Sequence, residues 1–147
     1  MAETIVVSLR LPAESGKSLK RLARRLDRST AETAARLVDE GLRRSEFALI
    51  EVRDTPAGRQ AHIQGTRLAV WQVVAISRAY KGDSQRTAEH LEWPVFKVTA
   101  ALNYAEAFPE EIRQAIEDNQ SFDFKRLSRV LPALESLEVP APVLKGR

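Results

Sequence analysis

Side chains able to do chemistry are few in this sequence. The 147 residues include no cysteine and two histidines, His62 and His90. Thiolate chemistry and disulfides are therefore out of reach. A histidine-based metal site or acid–base pair would need convergent helpers that the sequence does not place. The carboxylates Glu106, Glu110, Glu111, Glu117 and Asp118 would suit a metal-dependent nuclease, but they fall mostly at a helix start and a helix end, where such charge is ordinary. There is no glycine-rich phosphate loop and no nucleophile elbow. No catalytic residue, no metal and no cofactor is expected. What the chain does concentrate is positive charge. Between Arg10 and Arg28 stand seven cations (Arg10, Lys17, Lys20, Arg21, Arg24, Arg25 and Arg28), opposed only by Glu14 and Asp27. Such a block suits a polyanion; the plainer alternative is a solvated helix face.

The net charge of +3 conceals an uneven distribution. Residues 1–44 hold ten Lys/Arg against six Asp/Glu, residues 45–120 eight against eleven, and residues 121–147 five against three. A basic head thus precedes an acidic middle. With 44% hydrophobic and 29% charged residues the chain has a globular balance, not that of a disordered one. No apolar run approaches roughly 18 residues, and Glu3 and Arg10 bracket too short an apolar stretch for a secretory signal. A cytoplasmic location and no membrane contact are expected.

The elements that would position the cations follow from the pattern. Residues 4–11, TIVVSLRL, are β-branched and partly alternating, with Ile5, Val7, Leu9 and Leu11 on one face and Thr4, Val6, Ser8 and Arg10 on the other. Pro12 ends the strand and suits a helix start. Residues 13–26 read as a helix with Leu19, Leu22, Ala23 and Leu26 on one side, Gly16 weakening its first turn. After a break at Asp27-Arg28, Ser29-Thr30-Ala31-Glu32 forms a capping box. It opens a second helix to about Arg44, with Ala34, Ala35, Leu37, Val38, Gly41 and Leu42 as its buried stripe. A lone strand cannot satisfy its own backbone donors and acceptors, and no second strand lies nearby. Pairing with its copy in another subunit, as a two-fold antiparallel ribbon, is the economical solution. A homodimer is expected.

This segment resembles the ribbon-helix-helix (CopG/Arc-like) repressors and antitoxins. The likeness rests on Val7-Ser8-Leu9-Arg10-Leu11-Pro12, the Leu19/Leu22/Ala23/Leu26 helix and Arg28-Ser29 at the second helix. It spans residues 3 to 44; Gly16 departs from the family's usual apolar residue. The resemblance implies a ribbon lying in a DNA major groove. Thr4, Val6, Ser8 and Arg10 would then face the bases, arginine bridging guanine O6 and N7 and Val6 meeting a thymine methyl. Ile5, Val7, Leu9 and Leu11 would form the dimer core. Arg28, Ser29 and Thr30 would hold a phosphate at the amides of the second helix. Arg21, Arg24 and Arg25 would either add backbone contacts or stay solvated.

Beyond residue 45 the character changes. Phe47 to Arg53 and Ala61 to Ile63 read as a hairpin with Pro56 to Gly58 at its tip, and Arg67 to Val70 as a third short strand. Helices then run from Trp71 to Tyr80, from a Ser84 cap to about Leu91, from Trp93-Pro94 through Val95, Val98, Ala101, Leu102 and Ala105, and from Pro109 to about Asn119. Residues 47 to 118 resemble an uncharacterised antitoxin family with a helix-turn-helix-like body. The likeness rests on Ile63-Gln64-Gly65-Thr66-Arg67-Leu68, Val70, Val73, Ala88, Leu91, Val98, Ala100, Ala101, Leu102, Tyr104, Pro109 and Ile112. It implies a VapB-like antitoxin partnered with a PIN-like ribonuclease toxin. Within the signature, Gly65 is expected at positive φ, Thr66 to bond the local backbone, and Arg67 to brace a carboxylate inside the domain or to face a partner. In the tail, Phe122, Phe124, Leu127, Leu131 and Leu134 either fold back or anchor in a groove of the toxin.

The expected fold class is α+β, mostly α. It comprises a ribbon-helix-helix module over 1–45, a hairpin and helix-turn-helix-like domain over 46–120, and a tail over 121–147. The expected function is a dimeric antitoxin that binds operator double-stranded DNA, represses its own operon and neutralises a ribonuclease toxin. A stand-alone repressor and a protein inhibitor that does not bind DNA are the competing readings.

Overall fold

In the computed structural model, which describes residues 3–121, the chain is mostly helical with one two-stranded antiparallel sheet. It divides into two compact units, the first ending at Arg67 and the second beginning at Leu68.

The first unit opens with residues 3–12, which carry no helix and no hydrogen-bonded strand. Helix α1 (Ala13–Arg25) follows. Its end is closed by Asp27 in left-handed geometry, φ 51°, so that Arg28 N donates to Ala23 O at 3.0 Å and Asp27 N to Arg24 O at 3.1 Å. This is a Schellman closure, with aspartate where glycine is usual. Helix α2 (Thr30–Glu46) starts on the capping box the sequence predicts: Glu32 N donates to Ser29 Oγ at 3.1 Å, and Ser29 N to Glu32 Oε2 at 3.3 Å. Beneath the cap, Thr33 is buried and donates to Ser29 O at 2.8 Å.

The stripe expected to be buried on α2 is not buried within one chain. Ala34 and Leu37 are half-covered, while Ala35, Val38, Gly41 and Leu42 are exposed. On α1 only Ala23 is buried. Two helices packing on each other cover one flank of each apolar stripe and leave the other flank bare.

The sheet pairs β1 (Ile50–Thr55) with β2 (Gly58–Ile63), from Ile50 opposite Ile63 to Thr55 opposite Gly58. The expected strand from Phe47 is corrected: Phe47 caps α2, its N–H on Arg43 O at 2.9 Å. Leu49, at φ 62°, turns the chain so that pairing begins at Ile50. At the tip Thr55 Oγ1 donates to Gly58 O at 2.7 Å, and Gly58 takes φ 105°. The hairpin is tied to the helices before it by an ion network. Arg59, 13% exposed, donates Nε to Glu40 Oε1 at 2.6 Å, Nη2 to Glu40 Oε2 at 2.5 Å and Nη1 to Asp54 Oδ1 at 2.8 Å. Asp54 also accepts from Arg25 of α1 at 3.1 Å, and Arg36 reaches Glu40 at 3.3 Å. The Glu40 hydrogen bonds push the Arg59 guanidinium further toward its protonated form.

The second unit is helical: α3 (Val70–Ala79), α4 (Ser84–Leu91), α5 (Val95–Ala107) and α6 (Pro109–Ser121). The expected third strand at Arg67–Val70 reduces to a single bridge residue, Ala69. Ala69 is the N-cap of α3, its N–H held by Gln72 Oε1 at 2.9 Å, so Val70 is already helical. The expected Ser84 cap is likewise one residue late. Asp83 is the cap, accepting from Arg86 N at 3.0 Å, and Thr87 donates to Asp83 O at 2.7 Å as Thr33 does on α2. The core gathers Val70, Val73, Val74, Ala88, Val98, Ala101, Ile112 and Ile116 around Tyr104, whose hydroxyl donates to Glu111 Oε2 at 2.6 Å. Between α4 and α5, Glu92 at φ 55° and Pro94 set a three-residue turn. The α4–turn–α5 pair has the connectivity of a helix-turn-helix.

Candidate nucleic-acid interface

The residues expected to contact bases, Thr4, Val6, Ser8 and Arg10, are all exposed and make no hydrogen bond or ion pair among the described residues. Their apolar alternates are exposed as well, but unequally. Ile5 and Val7 are 77% and 68% exposed, Leu9 and Leu11 55% and 49%. Leu9 and Leu11 line an apolar groove of about 500 Å3 with Leu19 and Leu22 of α1 and Ala34, Leu37 and Val38 of α2. Ile5 and Val7 do not line it, so the period-2 pattern has a spatial counterpart only at Leu9 and Leu11, while Ser8 and Arg10 are exposed.

The start of α2 lies on the same unit. Its cap consumes the amide of Glu32 and its first backbone bond that of Thr33. The amides of Thr30 and Ala31 remain open, as the first turn of any helix leaves them. Arg28, Ser29, Thr30 and Ala31 are all exposed. Two open amides, the positive end of the helix dipole and the Arg28 guanidinium form an arrangement suited to an oxyanion.

The basic residues of α1 sort by partner. Lys17 pairs with Glu14 at 2.9 Å, Arg21 donates to Ser18 at 2.9 Å, and Arg25 is held by Asp54. Lys20, Arg24 and Arg28 have no partner among the described residues.

The other expected residues separate from this face. Gly65 takes φ 76° in a turn where Thr66 Oγ1 donates to Ile63 O at 2.9 Å. Arg67 is exposed and braces no carboxylate among the described residues. Arg53 takes the bracing role instead, donating to Thr66 O at 2.7 Å and pairing with Glu51. Its position two residues from Glu51 on one strand, hence on the same face, was a readable signal. His62 is buried, with Nδ1 3.1 Å from Gln60 O, and exposed His90 lies 2.7 Å from the Tyr80 hydroxyl. Among the described residues no three His, Asp or Glu side chains are gathered as a metal ion would need, and no helix is long and apolar enough to cross a membrane. The tail residues Phe122, Phe124, Leu127, Leu131 and Leu134 lie outside the described residues. Compared with known protein families, curated proteins and solved structures, the chain matches none.

Proposed function

We propose that this protein is a DNA-binding antitoxin. It acts as a homodimer whose N-terminal segments pair into a ribbon, represses its own operon and neutralises a PIN-like ribonuclease toxin. The observation that carries the DNA reading is the N-terminal segment: a run of alternating character with no strand partner among the described residues, Leu9 and Leu11 lining an open apolar groove and Ser8 and Arg10 exposed. Pairing with a second copy satisfies the backbone of both runs and covers both grooves. It also brings two Arg10 side chains onto one two-fold surface, flanked by two α2 starts that can take phosphates. The ribbon supplies base contacts through Thr4, Val6, Ser8 and Arg10, while Arg28, Ser29 and Thr30 fix register. The toxin reading rests on the resemblance of residues 47 to 118, on the acidic balance of the middle segment, which disfavours a second DNA contact there, and on the apolar tail sequence.

The test is binding of wild type and Arg10→Ala to a duplex taken from upstream of the gene, across a salt series. Wild type is expected to bind, and Arg10→Ala to lose roughly 1–3 kcal/mol with relaxed sequence preference. Wild type that binds neither this duplex nor a random one at low salt would leave the ribbon as a dimer clamp and make the chain a protein inhibitor. Co-purification of a small ribonuclease with the tagged full chain tests the toxin arm.

A further inference from the structure

Helix α1 is sided in a way that the ribbon does not use. Its apolar arc, Leu19, Leu22, Ala23 and Leu26, is the side that packs toward α2 and the groove. At 100° per residue, Lys17, Lys20, Arg21, Arg24 and Arg25 all fall on the opposite side. Every one of them is exposed, and only Glu14 on that helix opposes them. Like charges three and four residues apart destabilise a helix unless something answers them. Within the unit Asp54 answers Arg25 and Glu14 answers Lys17, while Lys20 and Arg24 go unanswered among the described residues.

We propose that this outward face of α1, with Lys20 and Arg24 as its contacts, is a further, sequence-independent binding surface for the phosphates of a DNA duplex, flanking the site read by the ribbon. The inference rests on the DNA reading above and extends it from a groove contact to a wider footprint. Three features select a duplex backbone over other polyanions. On the dimer reading above, α2 and the second copy's N-terminal run together cover the apolar arc of α1, which leaves the helix no apolar face to lay into a lipid surface as a basic amphipathic helix does. Helix α1 carries no aromatic side chain, so it offers no platform on which unpaired bases would stack. Lys20 and Arg24 stand four residues apart, roughly 6 Å along the helix axis at 1.5 Å per residue, which matches about two successive phosphates of one strand at 3.4 Å of duplex axis each.

The experiment compares the full-length protein with its Lys20→Ala/Arg24→Ala double variant on two duplexes of equal length, one from upstream of the gene and one of random sequence. Each lost phosphate contact lowers the slope of log K against log salt by about 0.9. The double variant is therefore expected to lose about 1.8 per chain, and twice that per dimer. Both duplexes should weaken alike, with the preference between them unchanged. Lys20→Arg/Arg24→Lys, which keeps both charges, should keep the slope. An unchanged slope in the alanine variant, with wild-type binding intact, overturns the proposal while leaving the ribbon reading in place. So does a loss of preference without a loss of slope. Failure of the wild type to bind either duplex removes the underlying DNA reading itself, and does so before any variant is compared. Thermal melts confirm that these exposed substitutions leave the fold intact.

Discussion

The residue with the greatest structural leverage in the first unit is Arg59. Both it and Glu40 are 13% exposed at the side chain, and they meet through two parallel hydrogen bonds, the geometry in which an arginine–carboxylate pair is strongest. Asp54 adds a third bond to Arg59 and then reaches the solvent-facing Arg25, whose side chain is 68% exposed. Burial decides which of these bonds matters. Glu40→Ala would leave a largely desolvated guanidinium with Asp54 alone, and is expected to cost roughly 1–3 kcal/mol. Arg25→Ala breaks a pair screened by water and is expected to cost less than about 1 kcal/mol. Chemical denaturation of the two variants against wild type checks the ordering. A larger loss for Arg25→Ala would mean that the hairpin is held chiefly through Asp54 and not through Glu40.

At the scale of elements, the N-terminal run and the two helix stripes pose one problem. On the dimer reading, the aliphatic faces left bare on α1 and α2, and a run with no strand partner among the described residues, would both be covered by a two-fold partner. A charge placed on the buried side of the ribbon should therefore abolish association, while the same charge on the other side should not. Val7→Asp is expected to sediment as monomer at concentrations where wild type is dimeric, and Val6→Asp to remain dimeric; dimer formation by both variants would refute the pairing. The elements were largely legible in the sequence. The capping box, the break at Asp27 and the six helices of the described residues follow from periodicity and cap residues. What escaped depends on tertiary context. Ser84 looks like a better cap than it is because Asp83 beside it has an equally suitable oxygen. Arg67 to Val70 reads as a strand because Val70 is β-branched, yet the Gln72 amide reaching back to Ala69 starts a helix there. The hairpin reads as the start of the second domain on composition alone, whereas it packs on α2 through Arg59, and no local pattern announces an ion pair spanning nineteen residues.

The whole molecule is two units with different electrostatic characters: the basic block precedes Arg28, and the middle of the chain is acidic. The hairpin belongs to the first unit, which bears on how that unit can function alone. A core ending after α2 would lose the burial of Ile50, 3% exposed, worth roughly 1.5–3 kcal/mol, and would lose both hairpin partners of the ion network, Asp54 and Arg59. If folding of such a small core is coupled to the proposed association, that loss raises the concentration at which it dimerises. A fragment of residues 1–67 is accordingly expected to dimerise and bind the upstream duplex with the salt slope of the full chain, since every cation assigned to DNA lies within it. A fragment of residues 1–46 is expected to need at least about tenfold more protein to reach half-dimer, a factor corresponding to about 1.4 kcal/mol. Analytical ultracentrifugation over a dilution series separates the two. Equal dimerisation by both fragments would show that the hairpin contributes nothing to the first unit and that the network around Arg59 serves the second half of the chain instead.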